Sequence, residues 1–257
     1  MTEALMSFVS RSTQQDYFEA APGVLNGDAA ASTHAMILRH NPKMPYSAAA
    51  STPADVSPLS WPYDNMNVAE TEGLRVNMQP GGVMVEYGDG AAAIQLLFPV
   101  FSLPTSLHTF MLHMVFDAVD APAVMYVNGV AVAEHGNVFV PSSISTKVGL
   151  PVPAQFAAVT PPPVFGGWVD GGFGGLALTN RALTQREVSA HFLRCQEAMD
   201  FIDEGNWDLL WSARRGLPRV TDQTTQWLDE LGQVPLTRTG SAQTSQQTDA
   251  GAALLMS

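Results

Sequence analysis

The stretch HTFMLHMVFDAVDAPAVMYVNGVAVAEHG, residues 108–136, decides the fold. One apolar run ends at Phe116-Asp117, a short polar break follows, and a second apolar run leads into Asn128-Gly129. An Asn-Gly pair between β-branched and aromatic residues is the strongest short-range hairpin signal, because both turn positions need a positive φ. The stretch therefore predicts three antiparallel strands at the centre of a β-sandwich.

Further strands are predicted on the N-terminal side of this stretch. Apolar and polar residues alternate at 73–78, 82–87 and 91–98, which is typical of half-buried antiparallel strands. The fold class that we predict is mainly β, with a two-layer antiparallel β-sandwich over residues 1–185.

A helix is predicted directly after the sandwich. Thr184 and Glu187 form the Ser/Thr-x-x-Glu capping box, in which each side chain satisfies an unpaired amide of the first helical turn. Val188, Cys195 and Ile202 belong to an apolar set that recurs at three- and four-residue spacing. This spacing predicts one buried helical face.

The sequence then predicts a C-terminal helical extension that covers residues 186–232. Short helices are expected at 207–214 and at 224–231. In the first of these, Trp207 and Trp211 are four residues apart and would form one hydrophobic stripe.

The last residues, 233–257, are polar, repetitive and nearly uncharged. Alone, such a segment cannot bury enough apolar area to offset chain entropy. It would gain order by lying along a neighbouring molecule. We therefore expect an extended tail that serves as an assembly arm.

Composition narrows the range of partners. The formal net charge of −12 argues against binding to nucleic acid or to an anionic membrane, because phosphate binding needs clustered Lys and Arg. The single cysteine, Cys195, leaves no intrachain disulfide and favours folding in a cytosolic environment. Its place on the apolar helix face predicts an inert core thiol. No secretory signal is visible, and the longest nearly apolar run, 91–103, falls short of the ~20 residues that span a bilayer.

Two separate segments resemble the signature of laminin-G-like, concanavalin A-like jelly rolls. Leu112–Asp117 followed by Met125–Val132 is similar to that family's strand ending in Phe-Asp and its Leu-Tyr-Val-Asn-Gly hairpin. Leu176–Val188 is similar to the closing strand and the turn before the family's terminal helix. The resemblance implies a concanavalin A-like jelly roll, as found in phage structural proteins.

The chain also departs from that family. Thr109-Phe110-Met111 stand where the family usually has Trp-His-His, and Gly174-Gly175 stand where it usually has acidic residues. For this reason we carry over no calcium or ligand site from the resemblance.

Catalytic motifs are absent from the sequence. The Glu-x-Asp-x-x-Glu pattern of glycoside hydrolases of this class is missing, as are the zinc helix, the nucleophile elbow and the Walker loop. Gly172–Ala177 matches Gly-x-Gly-x-x-Ala, but a strand follows it where a dinucleotide site needs a helix. We expect the glycines there to let the backbone bend or pass close to a neighbour. We therefore predict that the protein is not an enzyme and has no cofactor.

Two groups of residues are candidates for metal binding. Asp117 and Asp120 flank a loop and could bind calcium through their oxygens, although such residues more often cap turns. His113 is predicted in a core strand and His191 on the capped helix. Since no metal-ligand spacing links the histidines, we expect them to be structural and fully hydrogen-bonded.

These observations favour a non-enzymatic structural or adhesion protein, most simply a bacteriophage capsid decoration or fibre protein. It would assemble in the host cytoplasm as a homo-oligomer with other virion subunits, and its loops could bind surface glycans. The alternative is a stand-alone carbohydrate-binding lectin in which Trp61, Tyr63 or Trp168 stacks on sugar rings. Packing over the sheet is the commoner fate of aromatic residues in such loops. A hydrolase with an unfamiliar carboxylate pair is a third possibility that nothing in the sequence encourages.

Overall fold

The computed structural model describes residues 6–8, 16–19, 31–40, 60–64, 72–79, 82–89, 93–99, 108–117, 123–135, 147–150, 171–212, 215, 226–232, 234–239, 245–248 and 251–256. Side chains are described for residues 31–38, 76, 109–117, 123–132, 174–212, 215, 226–232, 234, 235 and 237.

Strands dominate the described residues. In chain order they are β1 (Met6–Phe8), β2 (Asp16–Glu19), β3 (Ala31–His40), β4 (Ser60–Asp64), β5 (Glu72–Gln79), β6 (Gly82–Asp89), β7 (Ala93–Pro99), β8 (His108–Asp117), β9 (Ala123–Val127), β10 (Val130–His135), β11 (Lys147–Leu150), β12 (Gly171–Thr179), β13 (Leu209–Ser212), β14 (Gln226–Trp227), β15 (Leu236–Thr239), β16 (Ser245–Thr248) and β17 (Gly251–Met256). One α-helix, α1 (Gln185–Cys195), follows β12 in the described part of the chain.

The strands form two sheets. Sheet A has nine strands in the order β10-β9-β8-β3-β12-β1-β17-β16, with β13 paired to β12. Sheet B has eight strands in the order β14-β15-β2-β11-β4-β5-β6-β7. Among the described strand pairs only β1 with β17 is parallel. The prediction of a mainly β, largely antiparallel fold is thus confirmed.

The hairpin that anchors the sequence prediction is present. Asn128 (φ 50°) and Gly129 (φ 77°) occupy the left-handed turn positions between β9 and β10. The Asn128 side chain also accepts a hydrogen bond from the Met111 amide at 2.9 Å, which ties the turn to β8. The three predicted central strands are therefore β8, β9 and β10.

The predicted capping box is also present at the start of α1. The Glu187 amide donates to the Thr184 hydroxyl, and the Glu187 carboxylate accepts from the Thr184 amide. The helix is shorter than the apolar spacing suggests, since it ends at Cys195 and Met199 has a positive φ of 43°. Ile202 is consequently 42% exposed and does not extend the buried helical face.

The two further helices predicted in the C-terminal extension are wrong. Residues 209–212 form β13, which pairs with β12, and residues 226–227 form β14, which pairs with β15. All four residues of β13 are buried. Short apolar runs of this kind fit a buried strand as well as a helix, and the free edge of β12 decides between them.

The last segment, 233–257, contributes strands β15, β16 and β17 to the sheets. β15 pairs with β2, and β17 pairs with β1, so these strands bind the N-terminal part of the same chain. Contact of this segment with a neighbouring molecule stays a prediction.

The two central strands of sheet A are buried on both faces. Along β3, residues 32–38 are all buried, and along β8 residues 109–116 are all buried. One face lies under α1 and the segment that follows it. No helix among the described residues is long and apolar enough to cross a membrane.

Candidate functional site

The aromatic residues predicted to bind glycans fall in or near sheet B. Trp61 and Tyr63 lie on β4, which runs between β5 and β11. Tyr63 pairs with Val76, and the strand register shifts between Ser60 and Tyr63. The side chains of Trp61 and Tyr63 lie outside the described residues, as does Trp168 entirely, so their role stays a prediction.

Only one of the two calcium candidates lies within the described residues. Asp117 ends β8 and is half-buried, while Asp120 lies outside the described residues. Within the described part of the chain, no three His, Cys, Asp or Glu side chains are placed to hold a metal ion.

Two buried polar side chains lie in the apolar interface between sheet A and α1. An apolar core joins the strands to the helix, and it contains Ala35, Ile37, Met111, Val115, Tyr126, Ala177, Leu183, Val188, Cys195, Phe201, Trp207 and Leu210. Two histidines, His113 of β8 and His191 of α1, lie within this interface.

His113 and His191 bond to each other. His113 Nε2 lies 2.9 Å from His191 Nδ1, and the two rings meet nearly edge-on at 83°. His113 is 0% exposed and His191 is 4% exposed. Among the described residues, the other ring nitrogen of each histidine, His113 Nδ1 and His191 Nε2, has no hydrogen-bond partner.

Local structure explains why both rings point into the interface. Side chains alternate along a strand, so His113 shares the face of Met111 and Val115. His191 comes three residues after Val188 and four before Cys195, which places it on the buried stripe of the helix. These periodicities were visible in the sequence, but nothing local indicated that the two rings would meet.

Aromatic rings enclose the pair from the helix side. The ring of Phe201 stacks on His191 at 5.4 Å and 9°, and the ring of Trp207 lies 4.9 Å from His191. Gly175 makes room for Phe201, because a Cβ there would be 2.9 Å from the Phe201 ring and 2.9 Å from the Trp211 carbonyl oxygen. The prediction that glycine allows a close approach in this stretch is confirmed at Gly175.

Burial keeps both histidines neutral. It lowers the pKa of His191 from 6.5 to about 4, and it lowers the pKa of His113 well below its ordinary value. The positive charge that either ring could gain also disfavours protonation of the other. Within the described residues, this pair departs from the expectation of fully hydrogen-bonded structural histidines, since each ring leaves one buried nitrogen unpaired.

Charged side chains form ion pairs near the C-terminal end of α1 and in the segment that follows it. Arg194 pairs with Glu204, and Arg215 lies 3.0 Å from Glu230 and 3.5 Å from Asp200. Burial raises the pKa of Glu230 to about 7. These ion pairs hold the segment after α1 in place and leave no carboxylate hydrogen-bonded to the two histidines.

An exposed polar group lies where α1 begins. Arg181 donates to Glu187 at 2.5 Å and to Asn206 at 3.1 Å, and the Asn180 amide donates to Asp208 at 2.7 Å. The hydrogen bond from Arg181 lowers the pKa of Glu187 to about 2. All these groups are paired with one another, so they form a polar surface at the start of the helix.

Cys195 adds no reactivity to this region. Burial raises the pKa of its thiol to about 11, so the thiolate that reacts is strongly disfavoured. The buried pair itself can accept or pass on a proton, but it lacks an adjacent nucleophile among the described side chains. The arrangement is that of a protonation-sensitive contact.

The mainly β architecture with one helix matches concanavalin A-like jelly-roll domains. A presumed carbohydrate-binding protein from Bacteroides ovatus superposes with a TM-score of 0.54 at 11% identity, over 93% of this chain and 59% of that chain. At this identity the likeness concerns the fold alone.

Weaker similarity extends to botulinum neurotoxins. The receptor-binding domain of type G has a TM-score of 0.46 at 10% identity, over 88% of this chain and 52% of that chain. A structure of type C, whose cell entry depends on two ganglioside molecules, has a TM-score of 0.41 at 8% identity, over 64% of this chain and 35% of that chain. The chain thus spans between 35% and 59% of the length of these solved proteins.

Comparisons of sequence add no assignment. No protein-family model matches the chain, and no curated protein matches it.

Proposed function

We propose that this chain is a lectin-like carbohydrate-binding domain that acts by binding and performs no catalysis. The observation that carries the proposal is the fold shared with the presumed carbohydrate-binding protein of Bacteroides ovatus over 93% of the chain. The missing hydrolase and cofactor motifs in the sequence agree with it.

Aromatic side chains are the groups that would hold a sugar. An aromatic ring offers a large apolar surface at low cost in side-chain entropy, and one face of a pyranose ring is apolar enough to stack on it. We assign this role to Trp61, Tyr63 and Trp168. Trp61 and Tyr63 lie on the same short strand, β4.

A glycan array with the full chain tests the proposal. We expect micromolar binding to at least one glycan, and a loss of at least about tenfold in affinity on Trp61→Ala or Trp168→Ala, as for an anchoring aromatic residue. Leu228→Ala is the matched control, because Leu228 is a large apolar side chain exposed elsewhere on the surface. A folded wild-type chain that binds no glycan would contradict the proposal.

The virion role stays a prediction. It rests on a polar arm, residues 233–257, that would lie along a neighbouring subunit, whereas the described strands of this segment pair within the chain itself. Neither the Bacteroides ovatus protein nor the neurotoxins are virion components by name. Light scattering, together with the glycan array, separates the two functions. A defined oligomer that binds no glycan favours the virion role. A monomer that binds glycan contradicts the virion role.

A further inference from the structure

The hydrogen bond between His113 and His191 joins α1 to sheet A in the middle of an otherwise apolar interface. Other polar bonds also join α1 and the segment after it to the strands, and one of them, from the Ser212 hydroxyl of β13 to Asp200 at 2.6 Å, is buried as well. Ser189 donates to the Gly129 carbonyl at 2.7 Å, and the Asp208 amide donates to the Leu178 carbonyl at 2.9 Å. Among the described residues, the histidine pair is therefore the polar attachment between α1 and β8.

The hydrogen bond between the two rings is compatible with a pair in which both rings are neutral. One ring then donates a single N–H to the other, and the two outer nitrogens are one N–H and one lone pair. One added proton turns both outer nitrogens into donors and places a positive charge in the interface. No described residue offers an acceptor to His113 Nδ1 or to His191 Nε2, so the charged pair is poorly solvated where it lies.

The charged groups that face the pair do not compensate for that charge. Glu204, on the segment after α1, favours protonation of His191, while Arg194 on the helix opposes it. These two residues already form an ion pair with each other. From the sheet, the residues beside His113 are Tyr126 on β9 and Ala35 on β3, and neither is a carboxylate.

We propose that α1 and residues 196–207 form an acid-sensitive lid on sheet A, which opens when the His113–His191 pair takes up a proton and exposes the apolar strand face beneath. Within the lid, Phe201 stacks on His191. Opening must also break the buried hydrogen bond that Ser212 of β13 donates to Asp200 at 2.6 Å. The sheet persists because β3 and β8 pair along their whole length, from Ala31 with Asp117 to His40 with His108.

The direction of the pH effect follows from the pKa values. In the closed lid the pKa of His191 is about 4, and that of His113 is also well below 6.5. In the open lid both return towards 6.5, so below that value the open form binds protons that the closed form does not. The opening constant therefore rises as the pH falls, by up to about tenfold per pH unit for each histidine.

Hydrogen exchange of the full chain, corrected for the intrinsic effect of pH on exchange, tests this proposal. Between about pH 6.5 and pH 4.5 we expect the amides of residues 188–195 to lose protection by at least about tenfold per pH unit. The amides of β3 and β8 should stay protected over the same range. Binding of an apolar fluorescent dye should increase in parallel.

The variants make the test specific. The double variant His113→Gln with His191→Gln removes both titrating groups and should remove the pH dependence of α1 exchange. His34→Gln is the matched control, because His34 is also fully buried but lies on the face of sheet A opposite to His113. The His34→Gln variant should keep the pH dependence of α1 exchange.

Two results would overturn the proposal. One is loss of protection in α1 and in β3 and β8 together, with the same slope, in the wild-type chain. The other is an unchanged slope in the double variant. If the double variant does not fold at neutral pH, the wild-type comparison between helix and strands decides alone.

Discussion

Sheet A buries a histidine on each of its two faces, and the two histidines differ in what they connect. His34 on β3 and His113 on β8 belong to neighbouring paired strands, and each is 0% exposed. Burial lowers the pKa of His34 to about 3 and that of His113 well below 6.5. Their titration thus has the same physical cause.

Their described contacts are different. His34 Nε2 lies 3.3 Å from the hydroxyl of Ser32 on the same strand, and its ring meets Phe116 of the adjacent strand edge-on. His113 instead bonds to a helix that is 78 residues away in the chain. Burial determines at which pH such a residue resists protonation, and its partner determines which part of the molecule responds.

The largest expected change in stability comes from truncating a buried phenylalanine on either face of sheet A. Phe116→Ala and Phe201→Ala should each cost about 3–5 kcal/mol, because both side chains are fully buried. Phe116→Ala should lower the protection of strands and helix together. Phe201→Ala should lower that of α1 first, even at neutral pH, because Phe201 packs on His191 and over Gly175.

Hydrogen exchange and urea unfolding of the two phenylalanine variants provide the measurement. Ile202→Ala is the control for Phe201→Ala, since the neighbouring side chain is partly exposed and its truncation should change stability by less than about 1 kcal/mol. Equal loss of protection throughout the chain in both variants would show that the faces unfold as one unit.

A smaller effect is expected from His34→Gln, and it concerns the slope against pH. His34 is neutral in the folded protein, so its contribution is complete above pH 6.5 and is lost as the pH falls towards its folded pKa of about 3. As the pH falls below 6.5, the global unfolding constant rises in both proteins. Without His34, the rise per pH unit should be smaller by a factor of about ten. Urea titrations at several pH values measure this slope, and an unchanged slope would mean that His34 is not neutral when folded.

Local signals in the sequence predicted the features that depend on neighbouring residues. The Asn128-Gly129 hairpin and the Thr184–Glu187 capping box both form, because each is specified by the backbone geometry of a few consecutive residues. The tight contact at Gly175 was also indicated by its glycine-rich stretch.

Features that depend on distant partners could not be predicted in this way. Residues 209–212 are a strand because the edge of β12 is free to pair with them, and an apolar run of four residues does not reveal that edge. Likewise, the sequence placed His113 in a core strand and His191 on the capped helix. Only the packing of that helix across that strand brings the two rings together.

The smallest expected effect comes from the cap of α1, and it separates helix stability from titration of the pair. Thr184→Ala removes the hydroxyl that accepts from the Glu187 amide and should cost about 1 kcal/mol, whereas Gln185→Ala, at an exposed position one residue later, should cost little. The hydrogen bond from Arg181 lowers the pKa of Glu187 to about 2, so the carboxylate of the cap is lost only as the pH falls towards that value. Exchange of α1 in Thr184→Ala should therefore be faster by a constant factor between about pH 6.5 and pH 4.5, with the slope of the wild type. A slope that changes with the cap would assign the acid response to the helix terminus and away from the histidine pair.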